Sequence, residues 1–317
     1  MIGFNEFREL HHAFTLLGMS GVGKTVLSTE LRHTANWFHY SADYRIGTRY
    51  LAEPILDNVK FKIMQMEDPF VAQLLMSDSI YINHNISVDN LEPVSTFLGM
   101  YGDKHEGGLD KATFLERQEL YRSGEVDAMM DTGHFIRKAW NIYRCKNFMN
   151  DASGSLCEIT DPDDINDPVI SALRDETMII YILADEQSEQ NLLERARSHP
   201  KPMFYNPAFI APELEDKPDD AVGVSPFDFA RPLFPELLKF RKPRYQTIAD
   251  NNGFTIGVND MFQTNDDSRT IPDSDTFLKN IYDAIATQTS QSAIATERFE
   301  AYLQICSDRQ QRRETQI

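Results

Sequence analysis

Gly18-Met19-Ser20-Gly21-Val22-Gly23-Lys24-Thr25 matches the spacing G-x-x-x-x-G-K-[ST], and these residue types can hold the phosphates of a nucleoside triphosphate. Gly18, Gly21 and Gly23 let the backbone turn tightly and point successive N–H groups inward at an anion. The helix that starts at the end of the loop adds its positive dipole end. Lys24 has the reach to contact the β- and γ-phosphates, and the Thr25 hydroxyl is a ligand for Mg²⁺. Ser20, Val22 and Val26 complete the segment expected to touch the nucleotide. The apolar run Ala13 to Leu17 leads in as a strand, and Val26, Leu27, Leu31 and Ala35 follow at helical spacing. The expectation is a P-loop that binds ATP with Mg²⁺; the alternative is a glycine-rich turn that only caps a helix.

The elements that must position this loop alternate between strand and helix, the pattern of a parallel sheet with helices on both faces. Strands are predicted near Phe14–Leu17, Phe38–Ala42, Phe148–Asp151, Met178–Ala184 and Phe254–Val258. The uninterrupted apolar run Thr177 to Leu183 fits a central strand buried on both faces. Helices are predicted at Lys24–Asn36, Lys111–Arg122, Asp127–Arg144, Ser188–Arg197, Pro235–Asn251 and Ser274–Ala286, with Pro235 and Ser274 as starts. The fold class is therefore α/β, a P-loop NTPase fold with a five-stranded parallel sheet, carried by residues 1–286. Residues 51–110 form a helical insertion, and the Pro- and acid-rich stretch 205–230 forms a lid or flap. Residues 287–317 read as a linker (TQTSQS) and a tail. The tail's thin stripe of Ile294, Ala301 and Ile305 leaves two partners open, the body of the chain or a second copy in a homodimer.

Around such a loop, phosphoryl transfer needs an in-line acceptor, neutralised charge and exclusion of water. Asp43 lies just past a strand end, on the side where α/β folds bind ligands, and is a candidate for orienting an acceptor hydroxyl; the alternative is a helix cap. Asp151 ends the third strand and is a candidate to hold a water on Mg²⁺; the alternative is a turn residue. Arg241 could grip an acceptor carboxylate or phosphate through its guanidinium fork, or simply belong to a basic helix face with Lys239, Lys242 and Arg244. Asp131-Thr132-Gly133-His134 has the form of a magnesium-site signature, but the residues before it read as helix rather than strand.

Taken in order, Ala42-Asp43-Tyr44-Arg45-Ile46-Gly47, Asn150-Asp151-Ala152-Ser153-Gly154-Ser155, Leu192-Leu193-Glu194-Arg195, Lys201-Pro202-Met203-Phe204 and Arg241-Lys242-Pro243-Arg244-Tyr245 with Ala249-Asp250 make a series. Together with the P-loop, this series resembles the shikimate kinase and nucleoside-monophosphate kinase-like family. The resemblance implies that Asp43 stands beside the acceptor hydroxyl, that Ser153 and Gly154 line the acceptor pocket, and that Arg241 grips an acidic acceptor. It also implies that Arg195 and Lys201 belong to a lid over ATP; Arg197 could close over the phosphates with them, and Arg231 is a rival. Phe114-Leu115-Glu116-Arg117-Gln118-Glu119 echoes the family's other acid-binding segment and points to Arg117. The departures are Ser41 for the first Asp of D-x-D, Ser153-Gly154-Ser155 for G-G-G, and Lys201 for an Arg. They argue against shikimate itself.

Composition narrows the partners. With 31 Lys+Arg against 49 Asp+Glu, the 317-residue chain carries a formal charge of −18, which excludes nucleic acid and an anionic membrane as expected partners. Cys145, Cys157 and Cys306 show no paired spacing, and no leader or long apolar run is evident, so a cytoplasmic protein is expected. The expected activity is ATP-dependent phosphoryl transfer to a small, anionic, hydroxyl-bearing metabolite. The alternative is a nucleotide-dependent regulatory ATPase or switch. No N-K-x-D base-recognition motif favours a GTPase. Lys24→Ala is expected to lower the affinity for an ATP analogue by about 10–100-fold, the worth of a charge-assisted hydrogen bond. Calorimetry on a variant with unchanged circular dichroism checks this, and an unaltered affinity would remove the loop's assignment.

Overall fold

The computed structural model of the chain describes residues 2–33, 36–265 and 268–314. In chain order the elements are α1 (Phe4–Glu9), β1 (Ala13–Leu17), α2 (Lys24–His33), β2 (Trp37–Ser41), α3 (Ala42–Arg45), α4 (Ala52–Met64), α5 (Pro69–Met76), α6 (Glu92–Leu98), α7 (Lys111–Met130), α8 (Thr132–Asn141) and β3 (Asn147–Asp151). There follow α9 (Leu156–Ile159), α10 (Pro168–Glu176), β4 (Met178–Leu183), α11 (Glu186–Ser198), α12 (Pro207–Leu214), α13 (Pro226–Asn252), β5 (Gly253–Gly257) and α14 (Val258–Met261). A small antiparallel pair, β6 (Gln263–Asn265) and β7 (Ser268–Thr270), precedes α15 (Ser274–Gln291) and α16 (Ala293–Glu314).

Two compact units divide the chain. The first comprises Met1–Ala42, Met129–His199 and Leu233–Ile317, and the second Asp43–Ala128 and Pro200–Pro232.

The first unit is built on a five-stranded, all-parallel sheet in the order β2-β3-β1-β4-β5. All five predicted strands form, each within a residue or two of its predicted ends. β1 is buried at every position, and β4 (Met-Ile-Ile-Tyr-Ile-Leu) is apolar throughout, as central strands require. On one face of the sheet Phe14 and Trp37 pack against Phe277 of α15. On the other, Phe38 and Tyr40 pack against Phe135 of α8. Helices therefore cover both faces. The connection from β1 runs toward one edge and that from β4 toward the other, so the winding reverses beside the carboxyl end of β1, where such sheets take their ligands.

Several sequence expectations change here. Thr34 and Ala35 of the predicted first helix lie outside the described residues, and Val26, expected on its apolar stripe, is 56% exposed. The buried stripe of α2 is instead Lys24, Leu27, Ser28 and Leu31. α7 runs through Gly124 to Met130 because that glycine fits against Tyr50 rather than breaking the helix. α13 begins at Pro226, not Pro235. Its buried residues Phe229, Leu233, Leu237, Arg241, Tyr245 and Ile248 form one stripe across the prolines, so packing outweighs the hydrogen bonds they forfeit. The predicted linker after residue 286 is the last turn of α15. α16 packs into the first unit through Ala295, Phe299, Tyr302 and Cys306, while Ile294 points to solvent. The Asp131–His134 signature sits at the start of α8, not on a strand.

The second unit is helical among its described residues. Its insertion and its predicted flap belong to one body. Ile210, Leu214 and Ala221 of the flap are buried, and backbone hydrogen bonds join it to Asp103 and Lys111. The segment 205–230 belongs to this unit, with α12 and the start of α13 inside it. Among the described residues no helix is long and apolar enough to cross a membrane.

A buried His12 ties the amino end of β1 to α1 and α16. Its Nε2 lies 2.9 Å from the Phe7 carbonyl and its Nδ1 3.1 Å from the Tyr302 hydroxyl. A carbonyl only accepts, so Nε2–H donates to Phe7 and the Tyr302 hydroxyl donates to Nδ1. Burial pushes the imidazole down from its ordinary 6.5 to about 3, helped by the nearby cations Lys146 and Arg309. Between those values the unfolded chain binds a proton that the folded chain refuses, so stability present above pH 6.5 is lost as pH falls toward 3. His12→Gln is expected to flatten this part of the stability profile, measured by urea denaturation at stepped pH. Parallel profiles for variant and wild type would contradict it.

Candidate functional site

β1 ends at Leu17, and the chain then turns through three glycines in the left-handed half of backbone space: Gly18 (φ +145°), Gly21 (φ +93°) and Gly23 (φ +103°). The surroundings are as restrictive as the dihedrals. A Cβ on Gly21 would lie 2.5 Å from Nη2 of Arg195 and 2.9 Å from Leu192, and one on Gly23 would lie 2.8 Å from the Phe262 ring. The start of α11, which carries Leu192 and Arg195, is fixed by Asp185, whose carboxylate accepts from the Ser188 amide at 2.9 Å.

Lys24 opens α2 and is only 5% exposed. Its Nζ turns back into the loop, donating to the Gly18 carbonyl at 2.6 Å and the Met19 carbonyl at 3.3 Å. Val22 is buried beneath the loop, whereas Ser20, Gly21, Thr25 and Val26 are exposed. Arg195 is exposed as well, and no described residue hydrogen-bonds or ion-pairs with its guanidinium.

Beside the loop, parallel pairing sets Leu16 of β1 opposite Asp151, and Asp151 opposite Ser41 of β2. Asp151 is 5% exposed, and no described residue donates a hydrogen bond to its carboxylate; its nearest cationic neighbour is His39, with Nε2 at 3.4 Å from Oδ2. A buried carboxylate without hydrogen bonds is unusual unless it is paired or faces a metal. Among the described residues no group of three or more His, Cys, Asp or Glu side chains could hold a metal by itself. Mg²⁺ takes one or two protein oxygens and fills its remaining positions with water and phosphate. Thr25 and Asp151 fit that requirement. After Asp151 the chain passes close under the loop, since a Cβ on Gly154 would lie 3.0 Å from the Ser20 amide nitrogen. Tyr245 pins this turn by donating to the Gly154 carbonyl, and the Ser153 and Ser155 hydroxyls are 2.9 Å apart. Ser153, Gly154, Asp151 and Arg195 thus share the first unit with the loop.

The expected acid-binding arginines are differently placed. Arg241 is 1% exposed, and its guanidinium donates to buried Glu158, at 2.6 Å from Nε. Pairing two buried charges accounts for its burial without an acceptor. Arg117, in the second unit, is buried too. It donates to the Phe97 carbonyl and to Asn58 Oδ1 at 2.9 Å, and lies over the Phe97 ring. Both arginines are held by partners within their own units. Asp43 begins the second unit and lies half-buried, 3.4 Å from the Tyr121 hydroxyl. Lys201 is exposed. A cavity of about 440 Å³ in this unit is walled by Leu115, Gln118, Phe204, Tyr205, Ile210 and Leu214; Asp43, Arg117 and Lys201 do not line it. His39 and Phe262 escaped the sequence reading. Strand alternation could have put His39 on the face of Ser41, but nothing local marked Phe262 as the loop's support.

No protein-family model matches the chain, and no curated protein matches it. Among solved structures it is similar to a shikimate kinase from Bacteroides thetaiotaomicron, at 12% identity and a TM-score of 0.35, with 88% of this chain and 98% of that chain covered.

Gly154→Ala is the sharpest check on this packing. Its methyl group meets backbone rather than a flexible side-chain end, and overpacking of this sort costs about 1–3 kcal/mol. ATP-analogue affinity is expected to fall about tenfold or more. Gly3→Ala, at a position with nothing within 4 Å, serves as the silent control. Equal affinities by calorimetry would show that the turn does not support the loop.

Proposed function

We propose that this chain binds Mg²⁺–ATP at Gly18–Thr25 and transfers the γ-phosphoryl group to the hydroxyl of a small acceptor. The observation that carries the reading is the loop itself: G-x-x-x-x-G-K-T leaving the central strand of a parallel sheet, three glycines at positive φ, and a lysine folded into the loop's own carbonyls. An ammonium held by two carbonyls is poised to exchange them for phosphate oxygens, a stronger charge-assisted pairing. Thr25 and Asp151 would hold the magnesium, which supplies charge neutralisation at the β- and γ-phosphates. Arg195, close against Gly21 and without a hydrogen-bond or ion-pair partner among the described residues, is a second cation for the phosphates. Lys201 is the lid cation of this reading.

In this reading Asp43 would accept the proton of the acceptor hydroxyl as that oxygen bonds to the γ-phosphorus, the bond from the γ-phosphorus to the β–γ bridging oxygen breaks, and ADP leaves. Ser153 and Gly154 line the acceptor side. With Arg241 and Arg117 bound to protein partners, a negative charge on the acceptor is not required by this reading.

A thermal-shift screen of metabolites with a Mg²⁺–ATP analogue tests it. Ligand at 100 times its Kd stabilises the native state by about 2.7 kcal/mol, which raises the midpoint by several degrees. The analogue alone should produce such a shift, and an acceptor should add to it. With that acceptor in hand, Asp43→Asn is expected to lower kcat by about 10²–10⁴-fold and leave ATP affinity within about twofold. Slow ATP hydrolysis with no phosphorylated product from any metabolite would favour the regulatory switch instead.

A further inference from the structure

We propose that His39 is a positioning residue that holds the Asp151 carboxylate in place for the metal; this rests on the reading of Asp151 given above. The two side chains are 1% and 5% exposed, with Nε2 and Oδ2 3.4 Å apart. Register explains the meeting. Ser41 pairs with Asp151 and His39 with Met149, so His39 stands one step back along the same face of the sheet.

Among the described residues neither imidazole nitrogen of His39 has a hydrogen-bond partner, although both atoms are buried. Leaving such a group unpaired costs about 1–3 kcal/mol, and native cores rarely tolerate it without a reason. A phenylalanine or leucine would fill the same space more stably. The imidazole does have one polar group before it, and that group is itself a buried carboxylate without hydrogen bonds. The separation is about 0.5 Å longer than a good hydrogen bond, so a small rotation of either side chain closes it. An imidazole donating Nε2–H to one carboxylate oxygen would restrain the rotation of Asp151. Partners of metal-binding carboxylates commonly act this way, and losing one typically weakens metal affinity about 10–100-fold.

The experiment uses the full chain and follows binding of an ATP analogue by calorimetry, in EDTA and across a Mg²⁺ titration. In His39→Phe the Mg²⁺ midpoint is expected to rise about tenfold while metal-free affinity stays within about twofold. His39→Gln, which returns an N–H near the Nε2 position, should recover most of the shift. If His39→Phe does not fold, His39→Asn keeps a polar group too short to reach Asp151 and should show the same displaced midpoint. A folded His39→Phe or His39→Asn with an unmoved midpoint overturns the proposal. So does an equal loss of affinity with and without metal, the mark of a merely structural residue. Asp151→Asn separates the two readings. An unmoved midpoint there, in a protein whose wild type responds to Mg²⁺, removes the role of Asp151 and with it that of His39, and leaves the loop's assignment standing. A wild type that binds no nucleotide overturns the loop's assignment as well.

Discussion

β1 lies between β3 and β4 in a register that sets Leu16 opposite Asp151. Side chains alternate along a strand, so a slip of one residue would carry Asp151 and its neighbours to the wrong face of the sheet. It would also separate the turn after β3 from the loop after β1. Burial of β1 on both faces forbids the slip, because Phe14 and Leu16 would exchange surroundings with Thr15. Thr15 is anchored by Thr177 at 2.8 Å and by Asn150 at 3.2 Å, contacts that Phe14 or Leu16 in its place could not make. The pairing of Leu16 with Asp151 therefore locates the candidate site.

The two ends of this strand handle buried polar groups in opposite ways. At the amino end, His12, Tyr302 and the Ala13 amide satisfy one another in a closed network. At the carboxyl end, both ring nitrogens of His39 are buried without a hydrogen-bond partner among the described residues, beside Asp151. The first arrangement rigidifies the unit, and the second leaves interaction unmet. The loop between them is confined by Leu192, Arg195, Phe262 and the Gly154 turn, so its three glycines are required by contact as much as by conformation. Lys24 meanwhile satisfies its ammonium with the loop's own carbonyls, which keeps a buried charge from standing alone.

Arginine is where motif reading and packing diverge. A guanidinium in an R-x-P-x-Y segment carries the same residue types whether it awaits a ligand or a glutamate from the next element. Glu158 lies on α9, distant in sequence from α13, and its pairing with Arg241 is visible only in the folded chain. Arg117 is likewise held by Phe97 and Asn58, which precede it by 20 and 59 positions.

The local and periodic features were legible in the sequence. The P-loop spacing, the apolar run of β4 and all five strands follow from residue type over a few positions, because glycine dihedrals and strand alternation are properties of short segments. Tertiary structure decided what depends on distant partners. Helix ends shifted where buried stripes crossed prolines in α13 or a glycine in α7. The polar TQTSQS run became the end of a helix, since α15 and α16 pack against the sheet and low-complexity composition does not report that burial. The insertion and the flap fell into one unit because backbone hydrogen bonds join Asp103 and Lys111 to residues more than a hundred positions away. His39 belongs to the same class: only the β2–β3 register brings it to Asp151, and register is set by the whole sheet rather than by either strand.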